Sequence, residues 1–372
     1  MITIKTGDCR DVLKEIPDQT FNCVVTSPPY WGLRDYNTGT WEGGDPNCPH
    51  KRLSKISKDT STGHLAMHDQ GDVVGDAIYK KKCPLCGAVR KDKQVGLEES
   101  PHDYVKNMVN IFKEIKRVLR DDGTVWLNLG DTYSSYKDSK SVSQTVAKGT
   151  LSEEAHIMET NHSRNMHLLK RAGFKNKELI GIPWRVAFAL QEDGWYLRQD
   201  IIWSKPNPMP ESVKDRCTKS HEYIFLLTKN PNYYYDNEAI KEEAIDWGTR
   251  DRSNGKYHNE GTGLQPHSGL EKSYETKNKR SVWTVSPKPF SEAHFAVYPT
   301  ELIEPCILAG CPEDGDVLDP FGGAGTTALV ADRLKRNATI IELNPKYINI
   351  AEKRINNDAP LFTTLTVEKG VS

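Results

Sequence analysis

Val317-Leu318-Asp319-Pro320-Phe321-Gly322-Gly323-Ala324-Gly325-Thr326-Thr327 reads as a short apolar strand, a tight glycine turn and the start of a helix. Glycine lets the backbone approach a ligand closely, and the first N–H groups of a helix have no partner within it. About twenty residues on, a second apolar run (338–342) ends at Glu342. In nucleotide-binding sheets an acid at that place accepts hydrogen bonds from ribose hydroxyls. No Gly-Lys-Ser/Thr follows the turn, so a phosphate-binding loop is a poor match.

Outward from the turn, strand-like and helix-like stretches alternate. Strands are expected at 2–5, 21–26, 124–129, 195–204, 223–228, 316–318 and 338–342. Helices are expected at 11–16, 101–119, 183–190, 299–309, 326–334 and 345–356. The helix at 101–119 carries Tyr104, Met108, Ile111, Ile115 and Leu119 at helical spacing, and Asp121-Asp122-Gly123 is expected to close it. There is no internal repeat. Such an order implies an α/β fold with a mostly parallel sheet covered on both faces.

Phe21 to Thr26 is almost continuously apolar, as expected of a buried parallel strand, and Ser27-Pro28-Pro29-Tyr30 follows it directly. The carboxyl end of such a strand is where ligands bind in open α/β sheets. An aromatic amino group is a poor nucleophile, because its lone pair is delocalised into the ring. The Ser27 hydroxyl can accept one of its N–H bonds and the Pro28 carbonyl the other, with two prolines fixing the carbonyl's direction. Tyr30 offers a face for a base to stack on, and a base inside a duplex would have to be flipped out to reach it.

The Asp-Pro-Phe-x-Gly-x-Gly-Thr turn and the Ser-Pro-Pro-Tyr loop together resemble the amino-DNA methyltransferases. The catalytic loop lies N-terminal to the cofactor turn, which is similar to the circularly permuted β group of that family. The resemblance implies a Rossmann-like methyltransferase fold and S-adenosyl-L-methionine as cofactor. It implies that Asp319, Phe321, Gly323, Gly325 and Thr326 surround the cofactor's methionine moiety, with Thr26, Pro320, Thr327 and Asn344 beside them, while Glu342 holds the ribose. Thr300 belongs to a segment, with Pro299 and Leu302, that resembles the one closing over the cofactor. Asp8 is a candidate contact near the adenine, or simply the cap of the following helix. The family implies direct methyl transfer to a flipped-out base in double-stranded DNA, by Ser27, Pro28, Pro29 and Tyr30. Serine at position 27 is typical of members acting on the 4-amino group of cytosine; the alternative is the 6-amino group of adenine. Further rivals are a methyltransferase for another substrate and a DNA-binding homologue that has lost catalysis.

Cys83-Pro-Leu-Cys86 has zinc-knuckle spacing, and Cys48-Pro-His50 offers two more ligands on a tight turn. The surrounding stretch is polar with little core of its own, so a structural zinc would supply folding energy. His64 and His68 are rival ligands.

Trp203 and Lys205 lie in a stretch that resembles the family's hairpin beside the target base. Arg216, Lys219, Lys279 and Arg280 follow, in a region where basic and aromatic residues interleave, as suits phosphate contact and base stacking; Arg250, Arg252 and Lys256 belong to it as well. The net charge of −1 means that any nucleic-acid surface is a local patch.

The expected organisation is a catalytic-loop part of the core (1–36), a zinc module (37–97), more core (98–204) with a mobile loop at 134–165, a target-recognition region (205–290), a cofactor-binding part (291–358) and a tail (359–372). With 37% hydrophobic residues in 372, the chain can bury a large core. No apolar stretch nears the roughly 20 residues of a membrane span. The start reads as a strand and not as a signal peptide, and eight cysteines scattered apart from one CxxC fit a reducing cytosol, so the expected location is cytoplasmic. A companion restriction nuclease is an expected partner; no nuclease motif is evident in this chain.

Overall fold

The expected strands assemble into a nine-stranded sheet in the computed structural model, which describes residues 1–32, 36, 38–52, 77–78, 82–134, 173–244, 275–288, 297–358 and 364–369. Its strands in chain order are β1 (Ile2–Thr6), β2 (Phe21–Thr26), β3 (Leu119–Leu129), β4 (Tyr196–Ser204), β5 (His221–Thr228), β6 (Val282–Thr284), β7 (Asp316–Asp319), β8 (Asn337–Glu342) and β9 (Leu365–Lys369). Across the sheet they run β6-β4-β5-β3-β2-β7-β8-β1-β9. Every neighbouring pair is parallel except those of β5, which is antiparallel to β3 and β4.

Side chains alternate across a strand, so each central strand feeds two cores. Val24, Val125 and Leu318 face one of them, with Tyr104, Met108, Ile111 and Ile115 of α2 (Pro101–Val118) and Val186 and Leu190 of α3 (Ile182–Glu192). Cys23, Val25, Trp126 and Val317 face the other, with Leu302 and Ile307 of α4 (Thr300–Gly310), Ala328 of α5 (Thr326–Arg333) and Ala351 and Ile355 of α6 (Pro345–Asp358). The short α1 (Cys9–Val12) connects β1 towards β2.

Several expectations need correction. The first helix covers Cys9–Val12 and continues as a 3₁₀ turn over Leu13–Glu15, shorter in its α part and earlier than 11–16. Asp121, Asp122 and Gly123 do not close α2; Leu119 caps it, and all three lie in β3. Gly123 has a physical reason to be there, since a Cβ would stand 2.7 Å from the Leu119 side chain and 2.9 Å from the Asn22 carbonyl. The expected tail contains β9, which pairs in parallel with β1. Its Leu-Thr-Val-Glu-Lys sequence suits a strand, and β1 offers it an open edge. Within the expected recognition region, β5 and β6 belong to the main sheet. The expected mobile loop lies, apart from Ser134, outside the described residues, as do His64, His68, Arg250, Arg252 and Lys256.

Candidate active site

Because β2 lies beside β7 and β7 beside β8, the Ser-Pro-Pro-Tyr loop, the glycine turn and Glu342 emerge side by side at the carboxyl ends of three parallel strands. Residues almost three hundred positions apart thus meet directly. The buried Asp319 is their hub. Its Oδ1 accepts from Thr26 Oγ1 at 2.7 Å and from the Phe321 N–H at 3.0 Å. Its Oδ2 accepts from Thr327 Oγ1 at 2.6 Å and from Tyr298 Oη at 3.0 Å. Burial pushes the Asp319 carboxyl up, while these four donors pull it back.

The turn is shaped by its glycines. Gly322 is pressed against Ile340, where a Cβ would come within 2.8 Å, and Gly325 against Ala351 at 2.9 Å. Both contacts serve packing. Gly323 differs: its φ is +50°, and the nearest atom to a Cβ would be 3.9 Å away, so its backbone faces open space. The Gly323 N–H donates to Glu342 Oε2 at 2.8 Å, and the Asn344 N–H donates to Glu342 Oε1 at 2.7 Å. Burial raises the Glu342 carboxyl to about 7, against those two bonds. Thr326, itself buried, accepts from Arg354 Nη1 at 2.7 Å. Pro320 is buried behind the turn, and Phe321 packs partly against the core.

Ser27 Oγ lies 3.3 Å from Tyr30 Oη. Tyr30 Oη is in turn 2.7 Å from Glu222 Oε2 and 3.0 Å from Asn128 Oδ1. Its ring lies so close over Gly130 that a Cβ there would meet it at 2.6 Å. Burial pushes the Tyr30 phenol up, and the Glu222 carboxylate adds to this. The Pro29 carbonyl accepts from Tyr104 Oη at 3.1 Å, which ties the loop to α2, while Pro28 is buried.

Other expected site residues are placed differently. Asp8 caps α1 and grips Arg10 through Oδ1 at 2.9 Å and Oδ2 at 2.6 Å. Burial works to raise its carboxyl, but the Arg10 bonds and charge prevail and lower it. Asp8 thus plays the capping role anticipated for it. Asn344 accepts from the Lys346 N–H at 3.0 Å and donates to the Tyr36 carbonyl at 3.1 Å. Thr300 lines a groove with Leu329, Arg333 and Arg354, whereas Tyr298, two residues earlier, is the one that reaches Asp319.

Cys48, His50, Cys83 and Cys86 come together with their ligand atoms all within 4.8 Å of one another. The Cys48 and Cys83 sulfurs are 3.7 Å apart, and Cys86 Sγ is 3.5 Å from His50 Nδ1. Trp41 stacks on the His50 ring at 4.3 Å. Trp41 belongs to a hairpin of Thr40–Glu42 and Val89–Lys91, which brings the two halves of the cluster together.

The expected DNA contacts are mixed. Trp203 is a core residue, 4% exposed, and donates its indole N–H to the Val285 carbonyl at 2.8 Å. Lys205 turns inward to pair with Glu222. Lys219 is half-buried and donates to the Asp131 carbonyl at 2.7 Å. Arg216 pairs with Glu211 at 2.7 Å and lies 3.9 Å from the Tyr133 ring centre. Lys279 and Arg280 share Glu242, at 3.5 and 3.4 Å, and the Arg280 side chain is 71% exposed.

Sequence reading missed Tyr298, Asn128, Gly130 and Glu222. Tyr298 immediately precedes the Pro299-Thr300 segment singled out above. Glu222 was detectable as a lone acid at the head of the apolar run Tyr223-Ile-Phe-Leu-Leu.

The DNA methylase family model, which spans N6- and N4-type enzymes, matches residues 21–353. The chain belongs to this family. It is 40% identical over 362 residues to the type II methyltransferase M.Cfr9I of Citrobacter freundii, covering 96% of this chain and 88% of that protein. It is 37% identical over 358 residues to the type II methyltransferase M.SmaI of Serratia marcescens, covering 95% and 90%. Among solved structures, the PvuII DNA methyltransferase, described as cytosine-N4-specific, aligns with a TM-score of 0.53 at 16% identity over 98% of this methylase and 94% of that chain. A putative DNA modification methylase of Thermus thermophilus, solved with S-adenosyl-L-methionine, aligns at 0.53 and 18% identity over the whole of both chains. These two likenesses establish the Rossmann-like fold. The methylase is therefore an S-adenosyl-L-methionine-dependent DNA methyltransferase of the N6/N4 type. Among the described residues, no helix is long and apolar enough to cross a membrane.

Proposed function

We propose that this methylase transfers a methyl group to the exocyclic 4-amino group of cytosine in a specific site of duplex DNA. The observation that carries the reading is Ser27 at the end of β2, beside the Asp319 hub and directly ahead of two prolines. Serine at this position is typical of the cytosine-type members of the family.

The residues suit the cofactor. The Glu342 carboxylate has one backbone donor on each oxygen and further lone pairs for a ribose diol, and Gly323 leaves backbone open beside it. Asp319, with Thr26, Thr327 and Tyr298, holds the turn in place for the methionine end. When bound, the cofactor supplies an electrophilic methyl on a sulfonium. Ser27 Oγ and the Pro28 carbonyl accept the two amino N–H bonds, which localises the nitrogen lone pair for in-line attack. A bound cofactor would supply the methyl from its sulfonium and leave as the neutral thioether, and the surplus proton on the methylated nitrogen would be lost to water. Tyr30 provides the face against which the flipped base rests.

The cysteine–histidine cluster serves a structural zinc. A tetrahedron with Zn–S of about 2.3 Å and Zn–N of about 2.0 Å has edges of roughly 3.8 Å between sulfurs and 3.5 Å between sulfur and nitrogen. The separations of 3.7 and 3.5 Å match those edges, and 3.7 Å is far beyond a disulfide. Arg280, exposed, and Lys279, partly exposed beside it, are the cations proposed for phosphate contact, and a restriction nuclease with the same target is the expected companion in the cytoplasm.

Methylation-sensitive sequencing of DNA from a bacterial host expressing the protein tests this. Modified cytosines in one sequence context are expected, and they disappear with Ser27→Ala. Modified adenines, or methylation that survives Ser27→Ala, would overturn the reading.

A further inference from the structure

The proposed acceptor role of Ser27 raises a question that the surrounding geometry answers: which way its own hydroxyl hydrogen points. Asn128 Nδ2 donates to the Tyr223 carbonyl at 3.0 Å, so its Oδ1 is the atom that faces Tyr30. Glu222, paired with Lys205, presents a carboxylate oxygen 2.7 Å from the same phenol. Both neighbours accept and neither donates to the phenol. The phenol hydrogen therefore points to one of them, and the shorter, charge-assisted contact is with Glu222. That leaves the phenol oxygen itself as an acceptor, and Ser27 Oγ, 3.3 Å away, is the donor beside it. A contact of that length tightens when substrate closes on a site.

We infer that Glu222 is a positioning residue that sets the direction of a hydrogen-bond chain, Ser27 to Tyr30 to Glu222. With its hydrogen committed to Tyr30, Ser27 Oγ keeps its lone pairs for the substrate amino group. An amide in place of the carboxylate weakens this. With its oxygen held by Lys205, its NH₂ faces the phenol, the phenol hydrogen turns to Asn128 Oδ1, and the amide competes with Ser27 for the phenol oxygen, so the Ser27 hydrogen is no longer committed. Lys205 acts in the same device by holding the carboxylate, which accounts for its inward direction. The inference rests on the reading of Ser27 as amino-group acceptor.

The test is a kinetic cycle on the full-length protein, with cofactor affinity measured alongside. Glu222→Gln is expected to lower kcat about a hundredfold while KM for DNA and Kd for the cofactor stay within about twofold, the size of effect expected for one preorganised contact to the reacting group. Tyr30→Phe, which keeps the ring but breaks the chain, is expected to fall by at least about thirtyfold. In the Tyr30→Phe background Glu222→Gln is expected to cost less than about threefold more, because the two act as one unit. Glu222→Gln with kcat within threefold of wild type, or losses that multiply in the double variant, would overturn the inference. If Glu222→Gln fails to retain cofactor, Tyr30→Phe decides alone, and near-wild-type kcat there would overturn it. Ser27→Ala separates the two levels. Full activity of Ser27→Ala defeats the amino-acceptor reading itself, whereas a slow Ser27→Ala beside a fast Glu222→Gln defeats only the role of Glu222.

Discussion

The cofactor turn and the edge that carries Lys279 and Arg280 are built on opposite principles. At the turn, three polar side chains are tied to others in the chain: Asp319 takes four donors, Thr326 takes Arg354, and Glu342 takes two backbone N–H groups. At the edge proposed for recognition, the cations lie on or near the surface and are balanced by neighbouring acids, Glu242 above all. Buried polar groups without partners are costly, so a site inside the sheet must be satisfied in detail, whereas a surface ion pair contributes little and can exchange partners. The half proposed for methyl transfer is accordingly preorganised, while the half proposed for DNA would trade its ion pairs for phosphates on binding.

The sharpest way to break this contrast is Asp319→Asn. The amide keeps one acceptor oxygen and turns the other into a donor, so two of the four donors lose their partner. Each stranded buried group costs about 1–3 kcal/mol, so a marked fall in Tm by calorimetry and loss of cofactor binding are expected. An Asn variant as stable as wild type would show that the hub is not preorganised.

The same contrast explains what was legible in the sequence. Glycines, prolines and an acid at strand ends signal the interior site, because backbone shape and close approach admit few residue types. The Ser27 loop, the glycine turn and Glu342 were readable for that reason. Asn128 and Tyr298 were not, and Glu222 stood out as a lone acid without its partners, because their contacts arise only where strands distant in sequence become neighbours. Trp203 illustrates the reverse error, since its stretch resembles the hairpin beside a target base while the parallel pairing of β4 with β6 buries it. The strand β9 was hidden because a five-residue polar-apolar alternation acquires meaning only beside the open edge of β1.

The insertion tests the contrast from another side, for it is a region where metal would replace hydrophobic core. Metal analysis of the purified protein is expected to find about one zinc per chain, and Cys86→Ala should reduce it to less than about half and open the module to proteolysis. Full metal content in Cys86→Ala would remove the assignment of the four ligands.

A smaller effect concerns Glu342. Its carboxyl, raised by burial to about 7, is protonated in the free protein below that pH, and in the proposed role it must ionise to accept both ribose hydroxyls. Cofactor binding should therefore weaken as pH falls through about 7, by roughly tenfold per unit, and level off above it. In the free protein the sign is opposite: stability is fullest below the ordinary carboxyl range and declines as pH rises to about 7. Isothermal titration with Glu342→Gln should abolish the pH dependence of binding; a slope that persists would point to another group.

The smallest expected effect is at the recognition edge. Reversing Lys279 and Arg280 to Glu should weaken DNA affinity and reduce the salt dependence of binding by about one to two phosphate contacts, with kcat nearly unchanged. Unchanged affinity at physiological salt would move DNA recognition elsewhere on the molecule.

The most direct test of the central claim is mass spectrometry of nucleosides from duplex DNA methylated by the purified protein. N4-methylcytosine is the expected product, absent with Ser27→Ala. A 6-methyladenine product would contradict it.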